Sequence, residues 1–198
     1  MKQLVLILGG VRSGKSRFAE QLVSQLGEKV LLVVTALPLD VEMRKRIEKH
    51  QRRRSGGWRT LEAPTQVGRA LTVYLGDADV VLLDCLTVLV SNLMVGTSLD
   101  EPRLEGVAPE DLERKVDEEL ERLLGALEGT DVSLVVVSNE VGMGLVPPYL
   151  SGRIYRDLLG RANQKLAQRA DQVYLLIAGI PVELKALKAS LGRAKLAE

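Results

Sequence analysis

Aromatic residues are scarce in this chain: phenylalanine, tryptophan and tyrosine make up 3% of 198 residues. That scarcity argues against the stacking platforms on which single-stranded nucleic acids are held. A lone cysteine, Cys85, leaves no internal disulfide, as expected of a chain at work in a reducing cytoplasm. Neither sign of charge dominates, with 27 Lys and Arg against 26 Asp and Glu and a formal net charge of +1. Nothing in that balance calls for a nucleic acid or a membrane surface as partner. Long apolar runs are missing too. The first run breaks at Gly9-Gly10, too early for a signal peptide, and no later run is long enough to span a bilayer.

What remains is ordinary globular material, 46% hydrophobic and 27% charged, of a length that fits one domain over residues 1–198. Residues 4–8 are continuously apolar, the pattern of a strand buried on both faces, and similar runs recur at 30–34, 80–83, 132–137 and 173–177. Helical patterns lie between them. Over 109–128, Pro109 suits the first helical position, and Leu112, Val116, Leu120, Leu123, Leu124 and Leu127 form one stripe. Residues 40–51 start on Asp40 as an N-cap, with Met43 and Ile47 on one face. A polar helix is expected over 151–169, a helical tail after Pro181, and an exposed, turn-rich excursion over 95–109. Strands alternating with helices predict an α/β fold with a mostly parallel central sheet flanked by helices.

The strongest local signal is Gly9-Gly10-Val11-Arg12-Ser13-Gly14-Lys15-Ser16, which fits G-x-x-x-x-G-K-[ST]. Its glycines let backbone N–H groups converge on phosphate oxygens, and the following helix offers unpaired donors and its positive end to the same anion. Lys15 adds a mobile charge for the outer phosphates, and the Ser16 hydroxyl suits Mg²⁺. The buried strand before the loop and the helix after it supply the context such a loop requires. Asp84, ending the run at 80–83, is placed to hold the metal directly or through water, or else to cap a turn. Cys85 beside it reads as a small buried filler rather than a nucleophile.

His50 is the only histidine, and it shares a helical face with Met43 and Ile47. Two readings stand: a packed histidine with one ring nitrogen satisfied, or a neutral imidazole that attacks phosphorus and forms a phosphoramidate. Gln51-Arg52-Arg53-Arg54 follow directly, and the arginines either neutralise a polyphosphate or form a solvated charged face. Asn139 and Glu140, beyond the fourth run, contact a ligand at the sheet edge or cap the next turn. Tyr149, Arg153, Arg156 and Asn163 recur at helical spacing and are candidates to face a large substrate.

Further motifs accompany the loop. Thr35-Ala36 precedes Leu39-Asp40, Glu42-Met43, Arg46-Ile47 and His50, and Trp58-Arg59-Thr60 follows. Next come Asp84-Cys85-Leu86-Thr87 with Ser91-Asn92, and Ser138-Asn139-Glu140-Val141-Gly142-Met143-Gly144. Arg156-Asp157, Gly160 and Asn163 lead to Ala178-Gly179-Ile180-Pro181. In this order, and over nearly the whole chain, they resemble the bifunctional adenosylcobinamide kinase/adenosylcobinamide-phosphate guanylyltransferases of cobalamin biosynthesis. Where some relatives carry two adjacent histidines, this chain has Lys49 before His50, and it has Gly57 where some place a histidine before Trp-Arg-Thr.

The resemblance implies a RecA-like P-loop NTPase fold, a homotrimer, and a corrinoid substrate. It implies phosphorylation of adenosylcobinamide by ATP or GTP, then transfer of GMP from GTP through a guanylylated histidine, whose place His50 occupies. Gly9, Gly10, Val11, Arg12, Ser13, Gly14, Lys15 and Ser16 would bind the nucleotide phosphates, with further contacts at Thr35, Ala36, Leu37, Gln51, Arg52, Arg53, Arg54, Glu62 and Asp84. Mg²⁺ falls to Ser16 and Asp84. One reaction breaks a bond at the γ-phosphorus and the other at the α-phosphorus, so the segment bearing His50 is expected to move when GTP binds. The alternative from another class is a P-loop switch or ATPase that transfers no nucleotide and needs no histidine.

Overall fold

A computed structural model describes residues 1–36, 57–96 and 108–187. The helix expected over 40–51 lies outside the described residues, as does the excursion expected over 95–109 except at its ends, 95–96 and 108–109. In chain order the elements are β1 (Leu4–Gly9), α1 (Lys15–Leu26), β2 (Val30–Val34), β3 (Arg59–Glu62), α2 (Val67–Tyr74), β4 (Val80–Asp84) and α3 (Leu86–Val95). They continue with α4 (Pro109–Gly125), β5 (Ser133–Val137), α5 (Leu150–Arg169), β6 (Gln172–Ile177) and β7 (Ile180–Glu183). The seven strands form one sheet in the order β3-β2-β4-β5-β1-β6-β7. Every neighbouring pair is parallel except β6 with β7.

Strands β1, β2 and β5 are buried at every residue, as a parallel sheet covered on both faces demands. Alternation along β1 divides the core. Leu4, Leu6 and Leu8 join the cluster under α2, α3, α4 and α5, and Val5 and Ile7 join the one under α1 with Ala19 and Val23. Outside the sheet, Lys165 bridges Asp117 and Glu121, and Arg169 bridges Glu121, tying α5 to α4 along their solvent face.

Some of the architecture departs from the expectations above. Strand β3 carries Arg59, Thr60 and Glu62 exposed, with only Leu61 half-buried, so no apolar run announces it. It is an edge strand, and its charged residues discourage further pairing. The helical tail expected after Pro181 is corrected over its described part: Pro181 sits inside β7, and 184–187 are turns. Proline is tolerated there because β7 is the other edge, where one side of the strand needs no ladder donors. Helix α4 ends at Gly125 rather than 128, although Leu127 stays buried in the turn that follows. Helices α2 and α3 went unforeseen.

Helix α2 shows how tertiary contact replaces local signal. Its N-cap, Gln66, makes no capping bond of its own. The Val67 N–H is satisfied instead by Glu119 Oε1 of α4, at 2.6 Å. Burial holds the Glu119 carboxyl above its ordinary value, against the pull of these helix-end amides and of Arg122. A raised folded value makes the contribution to stability largest in acid, and it is lost as pH rises through that value. Glu119→Ala, which orphans the amide, is expected to cost about 1–3 kcal/mol in chemical denaturation. Glu119→Gln keeps an acceptor, and in parallel melts from pH 4.5 to 8 it should gain on the wild type as pH rises.

Candidate active site at the carboxyl ends of the strands

The phosphate loop leaves β1 at Gly9 and enters α1 at Lys15. Gly9 has a φ of 151° and Gly14 one of 99°, backbone that favours glycine. A Cβ on Gly9 would lie 2.6 Å from the Leu176 carbonyl oxygen, and one on Gly14 would lie 3.2 Å from Gly179 Cα. The loop is therefore packed too tightly for side chains at both ends. It is also braced from outside. Gly179 N–H, in the β6–β7 turn, donates to Ser13 O at 2.9 Å, and Glu140 N–H, just beyond β5, donates to Gly9 O at 3.1 Å.

Lys15 is buried, and its ammonium donates to Gly9 O at 2.8 Å and to Gly10 O at 2.7 Å. Helix α1 has no side-chain cap, so the donors of its first turn point into the loop. Ser13 Oγ is buried with no hydrogen-bond partner among the described residues. An uncapped helix end, a buried cation and an orphaned hydroxyl belong to one short loop, the chemistry of an anion site.

Asp84 ends β4, opposite Val34 of β2 and Val137 of β5. Beside it Thr35 is fully buried and acts as a clasp. Its hydroxyl donates to Cys85 O at 2.8 Å and accepts from Cys85 N–H at 3.0 Å. Asn92 of α3 donates to Thr35 O and to Pro64 O, each at 2.9 Å, which fixes the same corner. The Thr35 hydroxyl is thus spent on the protein. Burial, and next the charge of Asp84, push the Cys85 thiol up to about 11, and the Lys15 ammonium pulls weakly the other way. That thiol therefore feels both the loop's cation and the β4 carboxylate.

Of the expected site residues, Gly9 to Ser16 form the loop over β1, Thr35 and Ala36 follow β2, Glu62 ends β3 and Asp84 ends β4. All lie at the carboxyl edge of the sheet. Glu62 is exposed on the edge strand, with β2, β4 and β5 between it and the loop. Leu37, His50, Gln51, Arg52, Arg53 and Arg54 lie outside the described residues. Beyond β5, the peptide at Asn139 is clamped: its N–H donates to Thr87 Oγ1 at 2.8 Å and its carbonyl accepts from Asn163 at 3.0 Å.

Asn163 itself is buried and also accepts from Ser138 Oγ, so it faces the core and not a substrate. Arg153 pins the carbonyls of Pro147 and Pro148. Arg156 donates to Gly142 O at 2.7 Å, and Tyr149 is exposed. Sequence reasoning placed Gly179 in the motif Ala178-Gly179-Ile180-Pro181 but gave it no role; its amide braces the loop.

A glycine loop between a buried parallel strand and a helix, with an acidic residue closing a strand two places away, defines an α/β P-loop NTPase. A prototypical ATPase from the type III secretion system of pathogenic bacteria shares this fold, with a TM-score of 0.56 at 11% identity over 96% of this chain and 60% of its own. The chain belongs to the CobU family, described as cobinamide kinase / cobinamide phosphate guanyltransferase, whose model matches residues 5–184. It is 40% identical over 184 residues to the bifunctional adenosylcobalamin biosynthesis protein CobU of Salmonella typhimurium, covering 92% of this chain and 99% of that one. It is 38% identical over 180 residues to CobP of Pseudomonas aeruginosa, covering 91% and 96%.

Two measurements probe this corner. Thr35→Val keeps the shape but strands the Cys85 amide, and should cost about 1–3 kcal/mol in denaturant titration, with Thr35→Ser recovering most of the loss. A thiol at about 11 is ionised only to about one part in a thousand at pH 8. Iodoacetamide should therefore label folded protein at least a hundredfold more slowly than unfolded protein.

Proposed function

We propose that this chain is a bifunctional transferase of cobalamin biosynthesis, acting in the cytoplasm as a homotrimer. It phosphorylates the terminal hydroxyl on the aminopropanol arm of adenosylcobinamide with ATP or GTP. It then transfers GMP from GTP to the new phosphate, giving adenosylcobinamide-GDP and pyrophosphate. The observation that carries this reading is the family match over residues 5–184, which spans the phosphate loop and every strand of the sheet.

In this reading the first turn of α1 and the loop amides hold the triphosphate, and Lys15 exchanges the Gly9 and Gly10 carbonyls for phosphate oxygens. Bonds to an anion are stronger than bonds to carbonyls, so the exchange favours the bound state. Ser16 and Asp84 offer a hydroxyl and a carboxylate, hard oxygen donors of the kind Mg²⁺ takes alongside phosphate and water. That ion would neutralise charge on the phosphates as it shifts toward the leaving group.

For the second reaction we assign the nucleophile to His50. Its imidazole nitrogen attacks the α-phosphorus in line, the bond to the bridging oxygen breaks, and pyrophosphate leaves with the electron pair. An oxygen of the corrinoid phosphate next displaces the histidine and takes GMP. Splitting the transfer in two spares the corrinoid phosphate from meeting intact GTP.

Protein incubated with α-labelled GTP and Mg²⁺, then denatured, should carry a label that is acid-labile, alkali-stable and absent from His50→Ala. Label retained in His50→Ala, or label from γ-labelled GTP alone, would refute the assignment. Phosphorylation of adenosylcobinamide, assayed separately with ATP, tests the kinase half.

A further inference from the structure

We propose that Glu140 is a catalytic residue of the kinase step, its carboxylate taking the proton from the acceptor hydroxyl as that oxygen attacks the γ-phosphorus. The proposal rests on the kinase half of the function proposed above.

Strand order makes the first argument. Neighbouring strands lie about 4.8 Å apart, so positions ending β4 are about 10 Å across the sheet from β1, and those ending β3 about 19 Å. Asp84 and Glu62 occupy those two positions. Strand β5 is the immediate neighbour of β1, and Glu140 follows it by three residues.

Hydrogen bonds make the second. Gly9 O accepts from Glu140 N–H at 3.1 Å and from the Lys15 ammonium at 2.8 Å. Two donors on one oxygen place Glu140 N and Lys15 Nζ within about 6 Å of each other. Lys15 is the group that reaches a nucleotide's outer phosphates. The backbone of Glu140 is therefore held beside the lysine that serves the outer phosphates, whereas Asp84 ends a strand two places off.

The side chain is also held for the task. Glu140 Oε1 accepts from Gly142 N–H at 2.6 Å, while Arg156 donates to the Gly142 carbonyl at 2.7 Å. One carboxylate oxygen is thereby anchored, leaving the other to receive a hydrogen bond. Beside a polyphosphate a carboxylate is repelled unless it accepts from a donor, and an alcohol supplies that donor. In the step, a bond forms between the alcohol oxygen and the γ-phosphorus. The bond from that phosphorus to the β–γ bridging oxygen breaks, and its electron pair leaves with the nucleoside diphosphate. The hydroxyl proton passes to Glu140 and then to water.

Glu140→Gln keeps an acceptor for Gly142 N–H and removes the base. With adenosylcobinamide and ATP, its kcat should fall at least a hundredfold, within the range for loss of a general base, with both KM values within threefold of wild type. GMP transfer from GTP to adenosylcobinamide phosphate should stay within threefold. A kcat loss under threefold, or an equal loss of GMP transfer, overturns the proposal. Wild-type protein that fails to phosphorylate adenosylcobinamide overturns the parent reading as well, and the two failures are told apart by that control. Should the Gln variant not fold, Glu140→Asp, which draws the carboxylate back by one methylene, must lose kcat at least tenfold with GMP transfer kept.

Discussion

The site is organised around one oxygen atom, the carbonyl of Gly9. It ends β1, receives the ammonium of Lys15 from the first turn of α1, and receives the amide of Glu140 from beyond β5. The end of β1, the start of α1 and a segment 131 positions beyond Gly9 are thereby fixed to one point at the carboxyl edge of the sheet. The glycine is obligatory for a second reason: its missing Cβ lets the carbonyl of Leu176 in β6 close on the loop from the other side. A lysine charge buried on two carbonyls is a cost that the surrounding sheet sustains. Its return is a set of donors arranged before any ligand arrives.

The same economy governs the second corner, where Thr35 holds both polar atoms of the Cys85 backbone. A threonine next to a phosphate site invites a ligand role, yet the one proton this hydroxyl could donate to a phosphate is already given to Cys85 O. It fixes the direction in which the chain leaves Asp84, and so the place of the carboxylate relative to the loop. The clamp from Thr87 and Asn163 onto the Asn139 peptide does the equivalent work beyond β5. Polar residues near the site thus divide into those that would meet ligand and those that hold backbone. Hydrogen-bond partners, not proximity, make the division.

The legible parts of the sequence were those whose cause is local or symmetric. Strands β1, β2, β4, β5 and β6 declared themselves as apolar runs because the sheet is covered on both faces, and the loop declared itself because its chemistry is contiguous. Edge strands did not. Arg59, Glu62 and Pro181 suit strands with one side unpaired, and that composition reads as loop or helix when pairing is unknown. Strand order was equally hidden, since right-handed crossovers limit topologies without choosing one. The ties that make the site were out of reach for the same reason. Thr35 and Cys85 stand 50 positions apart, and nothing near either announces the other.

Strand order also bears on how one phosphate loop can serve two reactions at different phosphorus atoms. Along the carboxyl edge the sequence of groups is Glu62, Thr35, Asp84, Glu140 and Gly9, following β3, β2, β4, β5 and β1. The chain leaves β2 at this edge on the far side of Asp84 from Glu140, and Glu62 lies further still. An acceptor alcohol served by Glu140, as proposed above, would approach a bound triphosphate from the β5 side. Asp84 thus separates the β5 side of this edge from the β2 side, and the two displacements need not compete for one line of attack. In-line transfer at the γ-phosphorus and at the α-phosphorus calls for two such lines, because each leaving group must depart opposite its own nucleophile.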